Sequence, residues 1–457
     1  MPDLADRHGL ALTTRSPIAV ERYVEGMDLQ LSLNAGGVEG LASAVDADPA
    51  FALGHAGLAF AQWYRSDIPS ARASLQRAQA LIENTSPRER QHVQLVGMFI
   101  GGEGAQALPL IHEHLTEHPR DALMIQLATM TIAGSGRLTR PREQYELLSR
   151  LAPAWGDDWW FLGAYAFTHH ELNLLDDARR LAERSLEQQP RNAAGAHPLA
   201  HVFFESNDHA DGAGFLAGWI PEYDRAAPFY CHLSWHLALF ELARGNVQRV
   251  LELYDDAISP SIGSARTTLV DSASLLWRYQ LYGCEPKRDL PWSEVCSYVS
   301  KAAPTPGMAF LDAHAALAFV AMGDTEALSR LIASLEALAA DRPLVAEVVL
   351  PLARGLEAFG QGGYEDAIRW LEPLDGQLVR VGGSHAQWEV FEDTLLHAYL
   401  RAGQLERAKA LLRRRLARRS SARDVVWLEQ ATSAQAARPS ADRSTVAQGS
   451  RAKPHNG

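Results

Sequence analysis

A recurrence near 34 residues constrains this chain more than any other feature of its sequence. Pro119 and Pro153 stand 34 residues apart, and Pro190 follows 37 later. Between such breaks run blocks of 10 to 15 residues rich in Ala, Leu, Glu, Gln and Arg, while alternating β-branched runs are nearly absent. Blocks of this length, punctuated by Gly, Asp, Asn or Pro, read as helices. They come in pairs, and the pairs repeat. A length of 457 residues would suggest about three compact domains for an ordinary chain, but a repeat array removes that inference, because its length measures only how many units are stacked.

Three windows carry the helix-turn-helix pattern. Leu58 and Ala59 precede Ala71, Leu75 and Ala78 across a break at Asp67, Ile68 and Pro69. Leu162, Tyr165 and Ala166 precede Ala178 and Ala182. In the stretch DTLLHAYLRAGQLERAKALL, Leu396 is followed by the turn at Gly403 and by Ala408. Small residues at these places let two helices approach closely. The predicted fold is all-α: an α-solenoid of ten to twelve tetratricopeptide-like helical hairpins, forming a right-handed superhelix with a concave groove. Residues 1–16 read as an N-terminal extension and 17–430 as one continuous array. Residues 431–457 read as a disordered tail, since they hold hardly any large apolar side chains to offset ordering entropy. The basic run LLRRRLARR reads as a solvated terminal helix.

With 55 acidic against 43 basic residues the formal charge is -12. That gives no bulk attraction to nucleic acid or anionic lipid, so neither a nucleic-acid nor a membrane partner is expected. The N-terminus has no apolar core of a secretory signal, and no apolar run is of spanning length. Cys231, Cys284 and Cys296 are too few and too scattered for a disulfide framework and read as buried apolar residues. A cytoplasmic location is the expectation. GGEG at 101–104 and GSG at 134–136 lack the context of phosphate or dinucleotide loops. Trp155, Trp159 and Trp160 read as hairpin core in preference to a stacking platform.

The 17 histidines are the chemically informative residues. HPLAH places His197 and His201 four apart, and the next repeat places His232 and His236 four apart, with 35 residues between equivalent members. Residues i and i+4 share a helix face, so the two pairs are expected side by side on successive first helices. His170, Asp271, His385, Gln387 and His397 are expected along the same groove. Three readings stay open. The rings can fill interhelix junctions. They can form a polar recognition pocket, since a neutral imidazole offers both a donor and an acceptor. Or His197, His201, His232 and His236 can ligate zinc or another divalent metal, with Glu205 or Glu389 beside His232 and His236 as acid–base partner.

HPLAHVFFE, WHLALFELARGN and GGSHAQ followed by Val390, Phe391 and Glu392 resemble the tetratricopeptide repeat protein 38 family, as does GLALTT with VERYVEG. The resemblance spans roughly residues 5 to 430. It implies a single-chain helical-repeat protein, with His197, His201, His232, His236 and His385 at family-like positions. After GGSHAQ that family's pattern runs Arg-Asp-Val-Phe; here Trp388 and Glu389 stand in the first two places, so a cation is missing and a carboxylate is kept. The function expected from residues and resemblance together is a repeat protein that binds a small molecule or a peptide or protein segment in a His-rich groove. The alternative is a hydrolase or lyase, metal-dependent or His-based, built on the same groove.

Overall fold

The computed structural model describes residues 4–263, 265–286 and 288–436. Among them are 23 α-helices and no strand; Ala5 and Ala11 form an isolated β-bridge. Twenty-two of the helices pair into eleven successive hairpins, from Pro17–Leu31 with Gly37–Ala47 to His385–Arg401 with Leu405–Arg418, and Ala422–Ala436 packs on the last. The fold is an α-solenoid of tetratricopeptide-like hairpins. The last helix runs to Ala436, past the boundary expected at 430; residues 437–457 of the expected disordered tail lie outside the described residues.

Local signals set the helix ends. Asp67, Asp121, Asp158 and Asn192 are N-caps whose side chains accept backbone N–H bonds from the first turn. Ser86 with Glu89, and Ser384 with Gln387, form full capping boxes. The two helices of a hairpin differ in burial. The second helix Leu175–Gln188 buries one stripe, Ala178, Leu181, Ala182 and Ser185. In the first helix Tyr230–Ala243, every residue from Cys231 to Leu242 is buried. Polar side chains on first helices therefore face other side chains, and each needs a partner.

Close approach of first helices depends on small residues. A Cβ on Gly163, in the helix Trp159–Glu171, would stand 2.7 Å from the Ala194 carbonyl oxygen of the next first helix. Gly163→Ala is expected to destabilise the chain by about 1–3 kcal/mol. Gly214→Ala, where a Cβ meets nothing within 4 Å, is expected to be neutral or to stabilise by up to about 1 kcal/mol. Urea unfolding of the two variants checks the contrast; equal effects would deny the tight crossing.

The array curls back on itself. Ala193 N donates to Ser32 O at 3.0 Å, and Asn34 Nδ2 donates to Arg191 O at 2.9 Å. Arg140 Nε donates to Val379 O at 2.8 Å, and Arg380 Nε to Gly136 O at 2.9 Å. The helix His385–Arg401 meets the inner side of two earlier units: His385 bonds Glu205, Arg278 Nη2 donates to Ala386 O at 2.6 Å, and Trp277 Nε1 donates to Thr394 Oγ1 at 2.9 Å. Nor is the basic run of the eleventh hairpin solvated throughout, as the sequence suggested. Arg415 and Arg419 turn inward because Glu389 and Asp393 on that helix offer buried carboxylates. Among the described residues no helix is long and apolar enough to cross a membrane.

Candidate functional site

Two neighbouring first helices, Ala193–Glu205 and Tyr230–Ala243, bring the four expected imidazoles together. His197 Nε2 lies 2.9 Å from His201 Nε2 and 3.0 Å from His232 Nε2. The His236 ring centroid is 4.4 Å from His201 and 4.8 Å from His232. One nitrogen from each of the four falls within 4.8 Å of the other three. The 35-residue offset read from the sequence is thus a real adjacency.

The surroundings fix the rings and keep water out. Asp271, fully buried on the next first helix, lies 3.0 Å through Oδ1 from His232 Nδ1. That contact makes Nδ1 the donor and turns Nε2 of His232 toward the other rings. Trp235 stacks on His232 at 5.2 Å, and His170 stacks on His201 at 4.3 Å. Phe167 and Phe229 close against His197, the one half-buried member. Burial, and then the neighbouring imidazoles, hold His197, His201 and His236 well below the ordinary histidine range, so all three are neutral. Cys231 lies close to Asp271, and burial raises its thiol well above the usual range, so it supplies no thiolate.

Hydrogen bonding alone does not satisfy this cluster. A ring nitrogen carries either a proton or a lone pair. His197 Nε2 nevertheless faces two other Nε2 atoms at bonding distance. Both nitrogens of His236 and Nδ1 of His201 have no hydrogen-bond partner, an expensive state for buried polar atoms. A cation at the centre would use the converging lone pairs. Four nitrogens about 2.0–2.1 Å from a tetrahedral zinc stand roughly 3.3 Å apart; two of the spacings here are 2.9 and 3.0 Å, and the rest lie within 4.8 Å. The Asp271–His232 pair is the outer-shell carboxylate that metal-bound histidines ordinarily have.

The remaining expected residues lie elsewhere or do other work. Glu205 is next to the cluster in sequence but bonds His385 Nδ1 at 2.7 Å, with Arg419 Nη1 at 3.9 Å. Burial raises its carboxyl, but His385 and Arg419 outweigh that and hold it at about 2. Glu389 pairs with Arg419 at 2.5 Å and Arg415 at 3.3 Å, and despite its burial these arginines hold it well below the carboxylate range. Both carboxylates are engaged by His385 and by arginines. Gln387 accepts from Ser384 N at 3.0 Å and is spent on the capping box. His397 packs on Trp427 at 5.1 Å. His170 Nε2 lies 3.2 Å from Glu171 Oε1, off the hydrogen-bonding direction. Trp155 and Trp160 are buried core, and Trp155 Nε1 donates to Pro119 O at 2.8 Å.

Two further groups of histidine and carboxylate come together, the first of them not foreseen. His92 Nδ1 and His114 Nε2 lie 2.9 and 3.0 Å from Asp121 Oδ2, with Arg88 Nη1 at 3.3 Å. The arginine makes this a hydrogen-bonded hub and a poor place for a cation. His385, Glu389 and Glu392 also converge, but Arg415, Arg418 and Arg419 already neutralise them. The grip of Asp271 on His232 was likewise missed, although Asp271 stands 35 residues after His236, one more repeat along.

No protein-family model matches the chain. Among solved structures it is similar to the human IFIT1 dimer with m7Gppp-AAAA, at 12% identity over 95% of this chain and 98% of that one, with a TM-score of 0.43. It is also similar to yeast Tom70, at 12% identity over 78% of this chain and 90% of that one, with a TM-score of 0.39.

Proposed function

We propose that this chain is a tetratricopeptide-like binding protein that holds one divalent transition-metal ion, zinc in the first instance, between two adjacent repeats. The ligands are His197, His201, His232 and His236. The observation that carries the reading is His197 Nε2, at bonding distance from two other imidazole Nε2 atoms in a cluster where both nitrogens of His236 and Nδ1 of His201 lack hydrogen-bond partners. Imidazole sites suit zinc, copper, nickel and iron. Four protein ligands close a tetrahedral shell, which is the pattern of held ions; catalytic sites keep a position open. In this reading the ion braces two successive first helices. The inner face beside it, with Phe167, Phe229 and half-buried His197, receives a small molecule or a peptide segment. The resemblance to the tetratricopeptide repeat protein 38 family and a cytoplasmic location belong to the same reading. The hydrolase or lyase alternative is the weaker one, because Glu205 and Glu389 are held by His385 and by arginines.

The test is metal analysis of the purified full chain. About one equivalent of metal per chain is expected, falling to near zero in a His232→Ala/His236→Ala variant. Zinc restored to chelator-stripped wild type should raise its thermal midpoint; at a thousandfold excess over Kd the stabilisation is about 4 kcal/mol. Cobalt in the same protein should give the intense visible bands of a tetrahedral centre. A chain that purifies without metal, and whose midpoint does not move with zinc, cobalt, nickel or copper, would sink the proposal.

A further inference from the structure

A second site is built around Glu389 and the arginines near it. A cavity of about 40 Å³ opens between the helices carrying Phe204, Leu239 and Arg278 and the helices Leu405–Arg418 and Ala422–Ala436. A cavity needs about 10–15 Å³ on this measure to hold one water, so the space takes a group of a few heavy atoms. Four arginines line it: Arg278, Arg415, Arg419 and Arg423.

Their pairing is uneven. Arg415 is saturated, with Asp393, Asp424 and Glu389 at 2.7, 2.8 and 3.3 Å. Arg278 is only 1% exposed, donates one bond to Ala386 O, and has its nearest carboxylate, Asp393, at 3.6 Å; its Nη1 has no hydrogen-bond partner. Arg419 gives Nη2 to Glu389, while its Nη1 is also without a hydrogen-bond partner. Arg423 donates to Leu242 O at 3.0 Å and stacks 3.6 Å over the Tyr282 ring; among the described residues no carboxylate comes within 4.0 Å of it. Leaving guanidinium N–H groups buried and unpaired is costly, and the planar fork fits carboxylate and phosphate oxygens.

We propose that this cavity binds a small oxyanion, phosphate- or carboxylate-sized, through Arg278, Arg419 and Arg423. The anion supplies acceptors to Arg278 Nη1 and Arg419 Nη1, and the exposed edge of Arg423 closes over it. Two carboxylates also border the space. Glu389 is held by Arg415 and Arg419. Asp424 Oδ2 accepts from Arg415, while its Oδ1 has no partner. Burial raises the Asp424 carboxyl against the pull of Arg415. The site stands apart from the four-imidazole cluster and does not depend on it.

The test titrates inorganic phosphate, and separately acetate, into the full chain at constant ionic strength. Thermal shift and, for phosphate, 31P line broadening are followed. Wild type and Arg414→Gln, a surface control whose arginine pairs with Asp375, should both show a saturable response to at least one anion. Arg419→Gln should weaken that response tenfold or more, and Arg423→Gln replaces it as the test variant should Arg419→Gln fail to fold. A phosphate-only response makes the ligand a phosphate, and an acetate-only response a carboxylate. No saturable response to either anion in wild type overturns the site. So does an equal response in the cavity variant and Arg414→Gln, which would mean simple charge screening.

Discussion

Taking the metal-free chain from about pH 7 to about pH 5 is expected to remove several kcal/mol of folding stability. His197, His201 and His236 are held well below 6.5, first by burial and then by one another. Above 6.5 both the folded and the unfolded chain keep these rings neutral. Below it the unfolded chain takes up protons and the folded chain does not, so stability is lost as pH falls. Each ring contributes at most about 1.4 kcal/mol per pH unit. Three rings between 6.5 and 5 set an upper bound of about 6 kcal/mol, against a total folding stability of about 5–15 kcal/mol for ordinary domains. His8, His209, His314 and His397, lowered to about 4 chiefly by burial, act in the same direction. Saturating zinc, which needs the same neutral rings, should move the acid midpoint downward. Urea unfolding at several pH values, with and without zinc, measures both effects. A profile flat from about pH 7 to about pH 5 would mean the rings are not buried as described.

Arg415→Met should destabilise the protein by about 3–5 kcal/mol. Its guanidinium is 5% exposed and reaches Asp393, Asp424 and Glu389 at once. Removing it leaves those buried carboxylates with fewer cations, and it cuts the tie that holds the helix Ala422–Ala436 to the helix His385–Arg401. Limited proteolysis should then cut first around residues 418–436. The neighbouring exposed pair gives the comparison: Arg414→Met, which loses only Asp375, should change stability by less than about 1 kcal/mol. Guanidinium unfolding of both variants decides; similar small losses would make the buried network energetically idle.

The hairpin array was legible because it is written in local terms: helix formers in blocks, breakers at a fixed period, small residues at crossings. The pairing of His197 and His201 with His232 and His236 was legible for the same reason, since a shared offset means a shared position in adjacent repeats. Asp271 obeyed that offset too, yet nothing in one sequence shows which neighbouring ring a carboxylate will hold. Gln387 was expected along the groove; its Oε1 caps Ser384, a contact that the spacing of Ser384 and Gln387 already spelled out as a capping box. Glu205, Glu389 and the inward arginines were out of reach. Glu205 lies 180 residues from His385 and 214 from Arg419; such groups meet only because the array curls, and the amount of curl is a sum of small rotations that no local pattern records.

That curl alters how the molecule comes apart. In an open repeat array each unit touches only its neighbours, so the ends can fray and the stability is a sum along a line. Here Arg140 reaches Val379, His385 reaches Glu205 and Arg423 reaches Leu242. These staples join early units to late ones, so the last hairpins cannot peel away without exposing the interior of the middle ones. The chain has the parts list of a one-dimensional polymer and the cooperativity of a closed globule. It also takes on the slower folding that such distant contacts impose.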